Sequence, residues 1–351
     1  MNIMVESDGR ATWATQESAR FFEVRLLAAA LALSIFLAGC SSGGNSAPPP
    51  IPALGGSNYL TYHLDPSCIR EPYGVVYNYD TATATIETQL RQLYNNGQRR
   101  LRIPIFHGRG TDTGSVMDST GGNLAPRFSA NFTNLLASIK AAGFVELEVS
   151  FNPQGGNDPT QWLTFSDDFY QENWSLIQNL HPIIAGAGIP YHIDLSNEGI
   201  PPPGFGAFLQ YSQKLWNDYV SAFGSNDAIG FSIIADDAHL SQVSVVYGPS
   251  PFGSHGPPQV FDIHIYKDAG NSFESAFKAL NAQGYQGVAW VIGEAFYNDA
   301  TEALALRQAA NSTGQKVLYV TQWPETADQS CNPDVNVAPP VNFSNYQAQG
   351  F

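Results

Sequence analysis

The sequence predicts an α/β protein built as one (β/α)₈ TIM barrel. Short apolar runs alternate with stretches of helical spacing from residue 59 onward, and eight strand candidates can be counted. Nearly every helical stretch stops at a glycine, the usual helix terminator. No second Pro/Gly-rich linker interrupts residues 58 to 351, so one domain accounts for them. Strands that alternate with helices in this way form a parallel sheet, and eight such units close a barrel.

The segment before the barrel has a different character. Arg20 and Arg25 precede the apolar run Leu26 to Ala38, which is too short for a stable membrane span and has the size of a signal-peptide core. It ends in Leu37-Ala38-Gly39-Cys40, which resembles the lipobox of bacterial lipoproteins. The resemblance implies cleavage before Cys40 and acylation of that residue. Residues 1–39 are therefore expected to be a lipoprotein signal peptide. Residues 40–57, rich in Ser, Gly and Pro, are expected to be a lipidated tether to the cell envelope, ahead of a domain spanning 58–351. Ser41 implies, by the same resemblance, the outer membrane of a diderm cell. An ordinary cleaved signal with a chance Cys is the alternative.

Within the domain, 59–63 reads as strand one. Helical spacing over 86–95 ends at Gly97, and strand two is 100–106. A helix over 132–142 stops at Gly143 before strand three, 145–151. Residues 174–187 lead through Gly188 into strand four, 191–196. Residues 208–223 lead through Gly224 into strand five, 228–234, and strand six is 260–265. Helix 273–283 ends at Gly284 before strand seven, 288–292; helix 303–311 precedes strand eight, 316–321. A doubly wound open sheet would carry a Gly-rich phosphate turn after strand one, where this chain has Asp65-Pro66-Ser67-Cys68.

The net charge of −15 argues against nucleic acid or an anionic lipid surface as a partner. Aromatic residues (12%) nearly equal charged ones (13%), and Trp162, Trp174, Trp216, Trp290 and Trp323 fall in the domain, which suits stacking on sugars. With Cys40 assigned to lipid, Cys68 and Cys331 remain as one pair in an exported, oxidising setting. Loops after strands one and eight are neighbours in a closed barrel, so a disulfide is expected there. It would close a loop of roughly 260 residues and contribute up to about 5 kcal/mol. Two unrelated free thiols are the alternative.

Chemistry is concentrated at the strand ends, where parallel barrels build their sites. Asp65, Arg102, Asn152, Asn197, Glu198, Asp236, His264, Tyr266, Glu294, Gln322 and Trp323 all lie there. Two glutamates, Glu198 after strand four and Glu294 after strand seven, would supply the paired carboxyls that glycosidic cleavage needs. A glutamate after a strand often serves as a helix cap, but Pro201-Pro-Pro203 keeps a helix from starting at once after Glu198.

Four pieces in register, Arg102 in Leu-Arg-Ile-Pro, Asn197-Glu198, His264-Ile-Tyr266 and Gly293-Glu294 with Trp323 beyond, resemble the clan A retaining glycoside hydrolases, family 5 cellulase-like or family 39-like. The resemblance implies Glu198 as acid/base and Glu294 as nucleophile, with cleavage of a β-linked oligo- or polysaccharide by double displacement. It further implies that Arg102 keeps Glu294 ionised, Tyr266 orients it, Asn197 donates to the sugar 2-hydroxyl, His264 lines the subsite or tunes the acid, and Trp323 floors the sugar site. The two like charges are expected to raise the pKa of the acid, Glu198. No cofactor, metal or obligate protein partner is implied. A further family histidine after strand three or four is missing, with Asn152 and Gln154 in its place. His63 and His107 are expected to be structural, and Asp236-Asp237 a surface loop.

Two rival readings remain. A metal-dependent barrel hydrolase would draw on His63, Asp65, His192, Asp194 and His264, although His-x-His on strand one and an Asp ending strand eight are absent. A surface lipoprotein that only binds polysaccharide would use the same barrel without turnover.

Overall fold

The computed structural model describes residues 55–328 and 338–351. Residues 1–54, with Cys40, lie outside them; so does Cys331, and with it the expected pairing to Cys68.

The barrel strands are β1 (Gly56–Asn58), β2 (Arg100–Gly108), β3 (Glu146–Pro153), β4 (Tyr191–Asp194), β5 in two pieces (Ala228–Gly230 and Ile233–Ile234), β6 (Val260–His264), β7 (Ala289–Glu294) and β8 (Val317–Gln322). They form one parallel sheet, joined at the end of β2 by the short strand Met117–Asp118. Starting from the first piece of β5, the order runs β4, β3, β2, β1, β8, β7, β6 and back to the second piece of β5. The sheet thus returns to the stretch of chain it left, which is the TIM-barrel arrangement. Connecting helices are α1 (Tyr79–Asn95), α2 (Pro126–Ala142), α3 (Asp167–Gly186), α4 (Gly206–Phe223), short α5 (Asp237–Leu240) and α6 (Val243–Tyr247), α7 (Ala269–Ala282) and α8 (Ala300–Thr313), with α9 (Ser344–Ala348) near the C-terminus.

Three differences from the sequence reading have physical causes. The first strand is Gly56–Asn58 rather than 59–63, so residues assigned to the tether belong to the sheet. A Cβ on Gly55 or Gly56 would come within 1.9 Å of the carbonyls of Val320 or Arg100, and backbone this close leaves no place for the large side chains that marked the other strands. Strand five is broken at Phe231-Ser232. Gly230 sits at φ +72°, and the freed N–H groups of Phe231 and Ser232 are taken by the Tyr247 hydroxyl (3.0 Å) and Asp194 Oδ1 (3.1 Å). Several helices begin one or two turns before their apolar stretch. α3, for example, opens on Asp167-Asp168 behind an N-cap at Ser166, residues favoured by the helix dipole but invisible to hydrophobic periodicity.

The apolar core lies between strands and helices. Leu101, Ile103 and Ile105 of β2 and Leu147, Val149 and Phe151 of β3 are buried with Ile86, Leu90, Phe132 and Leu135 of the helices. Each such side chain contributes about 1.5–3 kcal/mol. The opposite face of the same strands carries polar residues and forms the interior described below.

The C-terminal tail locks the barrel. Ser57 Oγ and Gln322 Nε2 both donate to the Pro340 carbonyl (3.1 Å each). Glu302 Oε2 at the start of α8 accepts the Phe296 N–H (2.8 Å) and the Tyr346 hydroxyl of α9 (3.2 Å). Burial pushes the Glu302 carboxyl up to about 8 from its ordinary 4.5. Between those two values the folded state holds a proton that the unfolded state has lost, so this group makes stability fall as pH rises through that window. The Glu302→Gln variant should therefore gain stability over wild type, by a few kcal/mol at most, near pH 8 and little near pH 5. Thermal melts of both proteins across that range measure it, and equal pH slopes would refute the assignment.

Candidate active site

One side chain organises the barrel interior. Arg102, fully buried on β2, donates from Nε to Glu148 Oε1 (2.6 Å). Its Nη1 donates to Asn58 Oδ1 (3.0 Å) and Glu294 Oε1 (2.8 Å). Its Nη2 reaches Ser150 Oγ (2.9 Å), Asp194 Oδ2 (2.8 Å) and Asn197 Oδ1 (2.7 Å). A guanidinium suits this position because its planar fork presents donors in several fixed directions, which an ammonium cannot.

Glu294 ends β7 and is 5% exposed. Besides Arg102 it accepts the Tyr266 hydroxyl at 2.5 Å, with His264 Nδ1 3.6 Å away. Glu198 follows β4 through a tight turn. The Asn197 N–H bonds the Phe151 carbonyl, the Glu198 N–H bonds Ser232 Oγ (2.7 Å), and Glu198 itself adopts φ +53°. A non-glycine residue in that region is strained, and such strain concentrates where a side chain must be aimed. A capping role for Glu198 is excluded, since α4 starts only at Gly206. Glu198 Oε1 meets His264 Nδ1 at 3.1 Å. Glu198, His264 and Glu294 each place one ligating atom within 4.8 Å of the others.

Glu198 stands between two cavities. The larger, about 670 Å³, contains Glu294, His264, Tyr266, Phe296 and Trp323. The smaller, about 330 Å³, lies toward Pro202, Phe205, Phe208 and His239. Asn152, Gln154 and Asn197 border both. Asn197 spends its oxygen on Arg102, leaving its amide N–H groups to face the cavities. The seven side chains expected at the site (Arg102, Asn197, Glu198, His264, Tyr266, Glu294 and Trp323) thus converge.

Three other strand-end residues, Asp236, Gln322 and Asp65, do not join them. Asp236 caps α5 and contacts His239 Nδ1 at 2.7 Å, so Asp236-Asp237 is a helix start rather than a free loop. Gln322 binds the C-terminal tail. Asp65 orders its own turn by accepting the Ser67 and Ile69 N–H groups. His63 is exposed and packs edge-on against Tyr73, while His107, buried beside Ser119 Oγ (3.0 Å), is pushed down to about 3 by burial. The metal-centre set does not assemble: His192 pairs with Glu146 (3.2 Å) and Asp194 with Arg102.

The electrostatics correct one expectation. The raised carboxyl is Glu294, not Glu198. Burial lifts Glu294 most, with His264 and Arg102 pulling back and the Glu198 charge adding to the rise. Glu198 keeps 36% of its side-chain exposure; burial raises it, but hydrogen bonding and charge from His264 outweigh that and hold it below the ordinary value. His264 itself is raised well above its ordinary value, because the Glu294 and Asp262 charges overcome the cost of burial.

Sequence reasoning missed most of the floor of the site, Asn58, Glu148, Ser150, Ser232 and Asp262, and named Asp194 only in the metal set. A signal existed. Polar residues recur at every second position in Arg100-x-Arg102, Glu146-x-Glu148-x-Ser150, His192-x-Asp194 and Asp262-x-His264. Parallel strands buried on both faces normally read as continuous apolar runs, so this alternation marks a polar barrel interior.

No protein-family model matches the chain, and no curated protein matches it. Among solved structures it is similar to an exo-β-1,4-mannosidase from Opitutaceae bacterium strain TAV5 (TM-score 0.53, 14% identity, covering 78% of this chain and 51% of that one). It is also similar to a GH5_18 protein from Bifidobacterium longum subsp. infantis (0.54, 12%, 85% and 79%). A GH5 family lichenase from Caldicellulosiruptor sp. F32 is a third (0.53, 12%, 91% and 99%). The chain spans about half the length of the mannosidase and nearly all of the lichenase. At these identities the likeness establishes a fold shared with family 5 glycoside hydrolases.

Removing Arg102 would strand several buried carboxylates without their cation. Arg102→Met is expected to lower folding stability by about 3–5 kcal/mol at neutral pH, with part of the loss recovered in acid as those carboxyls protonate. Urea denaturation at both pH values measures this; a loss under about 1 kcal/mol would show that the interior does not depend on the guanidinium.

Proposed function

We propose that the chain is a retaining O-glycosyl hydrolase that cleaves a β-linked oligo- or polysaccharide, with Glu294 as nucleophile and Glu198 as acid/base. The observation that carries this reading is the pair of carboxyl oxygens within 4.8 Å. Retaining enzymes hold their carboxyls about 5–5.5 Å apart, whereas inverting ones leave about 6.5–9.5 Å for a water.

The chemistry follows from the surroundings of each carboxyl. Glu294 is aimed into the larger cavity by Arg102 and Tyr266, whose two donors hold its charge in place, and its oxygen attacks the anomeric carbon. Glu198, at the junction of the cavities, gives its proton to the departing glycosidic oxygen. It then takes a proton from the water that hydrolyses the glycosyl-enzyme. In the free site Glu198 is the more ionised of the two; a bound sugar covers its exposed side and removes its water, which raises the pKa toward that of a proton donor. Asn197 offers its amide to the 2-hydroxyl, and Trp323 gives the pyranose an apolar floor. The similar lichenase mutant described in complex with cellotetraose, and the GH5_18 structures described with GlcNAc and Manβ1-4GlcNAc, are consistent with a β-linked glycan in such a groove. Export and anchoring through Cys40, and a Cys68–Cys331 disulfide, belong to this proposal on sequence grounds alone.

Glu294→Gln should abolish turnover of any β-glycan the wild type cleaves, and Glu198→Gln should lower kcat by about 10²–10⁴-fold. Proton NMR of the first-formed product should show retained anomeric configuration. Inverted product, or unchanged turnover in Glu294→Gln, would overturn the assignment. Binding without turnover across a broad glycan panel would leave a polysaccharide-binding protein.

A further inference from the structure

The barrel interior holds more acid than the two reacting groups account for. Below Glu294 lie Glu148 of β3, Asp194 of β4 and Asp262 of β6, at 1%, 0% and 0% exposure, each with an oxygen within 4.8 Å of the others. Every strand around them contributes to their setting. β1 brings Asn58, β2 Arg102, the break in β5 Ser232, β6 His264, β7 Glu294, and β8 the buried phenol of Tyr319. Glu198 and Tyr266 close the top, and one layer down sits the Arg100–Glu146 pair (2.6 Å) with His192.

Four buried carboxyls, Glu294 included, face one guanidinium and one imidazolium. Full ionisation would leave two uncompensated negative charges away from water, which a protein interior avoids by taking up protons. The hydrogen bonds show where a proton is missing. Glu148 Oε2, Asp262 Oδ2 and His264 Nε2 are buried with no hydrogen-bond partner. Glu148 is nevertheless within hydrogen-bonding reach of Asp262, and His264 Nε2 lies 3.4 Å from Asp262 Oδ2. Asp262 cannot turn away. Its Oδ1 accepts the Gly293 N–H at 2.6 Å, and a Cβ on Gly293 would stand 2.2 Å from both carboxylate oxygens.

We propose that Glu148 and Asp262 share one buried proton, carried on Glu148, and that Asp262 is a positioning residue whose remaining charge keeps His264 an imidazolium holding Glu198 in place. Burial and the Asp262 charge both push the Glu148 carboxyl well up, in agreement with this placement. One added proton also gives the orphaned Glu148 and Asp262 oxygens each other as partners. The consequence for turnover rests on the glycosidase reading; the protonation state does not.

The test is nitrogen-15 NMR of the His264 ring in the full chain, assigned by its loss in His264→Gln and followed from about pH 5 to about pH 9. Wild type should stay doubly protonated through neutrality. Asp262→Asn should move the midpoint down by about one pH unit or more. Glu148→Gln, which replaces a neutral acid with a neutral amide, should leave it in place. With a cleaved glycan, Asp262→Asn should also pull in the alkaline limb of kcat/KM and lower kcat more than it changes KM. A wild-type His264 that titrates near 6.5 would overturn the proposal. So would a Glu148→Gln protein whose His264 midpoint falls by about one pH unit or more. If Asp262→Asn does not fold, the wild-type and Glu148→Gln titrations still decide. A wild type with no turnover on any glycan would defeat the proposed function while leaving these titrations to decide the array.

Discussion

The architecture of the site depends on one buried guanidinium. Arg102 binds groups from β1, β3, β4 and β7 and the turn after β4, and its Nε lies 3.8 Å from Asp262 of β6. It therefore sets the mutual position of strands distant in sequence. Such a centre is a poor source of stability, because desolvating the charges consumes most of what their attraction returns. The stability comes from the apolar shell between strands and helices. The interior uses that surplus to hold Glu294 at a fixed angle and distance, a service that well-packed leucines could not provide.

How much of this was legible follows from how each signal is written in the chain. Alternation of strands and helices was readable because the shell imposes it: Ile103, Ile105, Leu147 and Val149 must face helices whatever the barrel contains. The glycines after α1 and α2 were readable because Gly97 (φ +90°) and Gly143 (φ +101°) sit in conformations that other residues avoid. β1 was displaced because Gly55 and Gly56 are selected for the absence of a side chain. Strand-end residues such as Glu198 and Tyr266 stood out because polar groups ended apolar runs. Glu148 and Asp262 lie deeper along their strands with partners on other strands, so only the polar alternation marked them, and no strand end did.

The difference in surroundings between the two glutamates is also a matter of depth. Glu294 is part of β7 and pairs in register with His264, which fixes it in a dry setting. Glu198 lies four residues beyond the end of β4, on a strained turn, and reaches back toward the open junction of two cavities. The expected rise in the acid's pKa assumed that both carboxyls shared one environment. They do not, and the group with less exposure carries the rise.

A site that only binds sugar would be expected to put its polar groups where hydroxyls can reach them. Here two donors, Arg102 and Tyr266, converge on a carboxylate that is 5% exposed, and that carboxylate carries the cost of burial. Binding gains little from such a group, since its two oxygens are taken by Arg102 and Tyr266 rather than offered to a ligand's hydroxyls. The cost fits the proposed function, in which the ionised oxygen forms a bond. Gly293 follows the same logic: by omitting a side chain it lets Asp262 approach, and so keeps the imidazole between the two glutamates charged. The polar column from Glu148 to Glu198 is then one device, in which each deeper residue sets the state of the one above it.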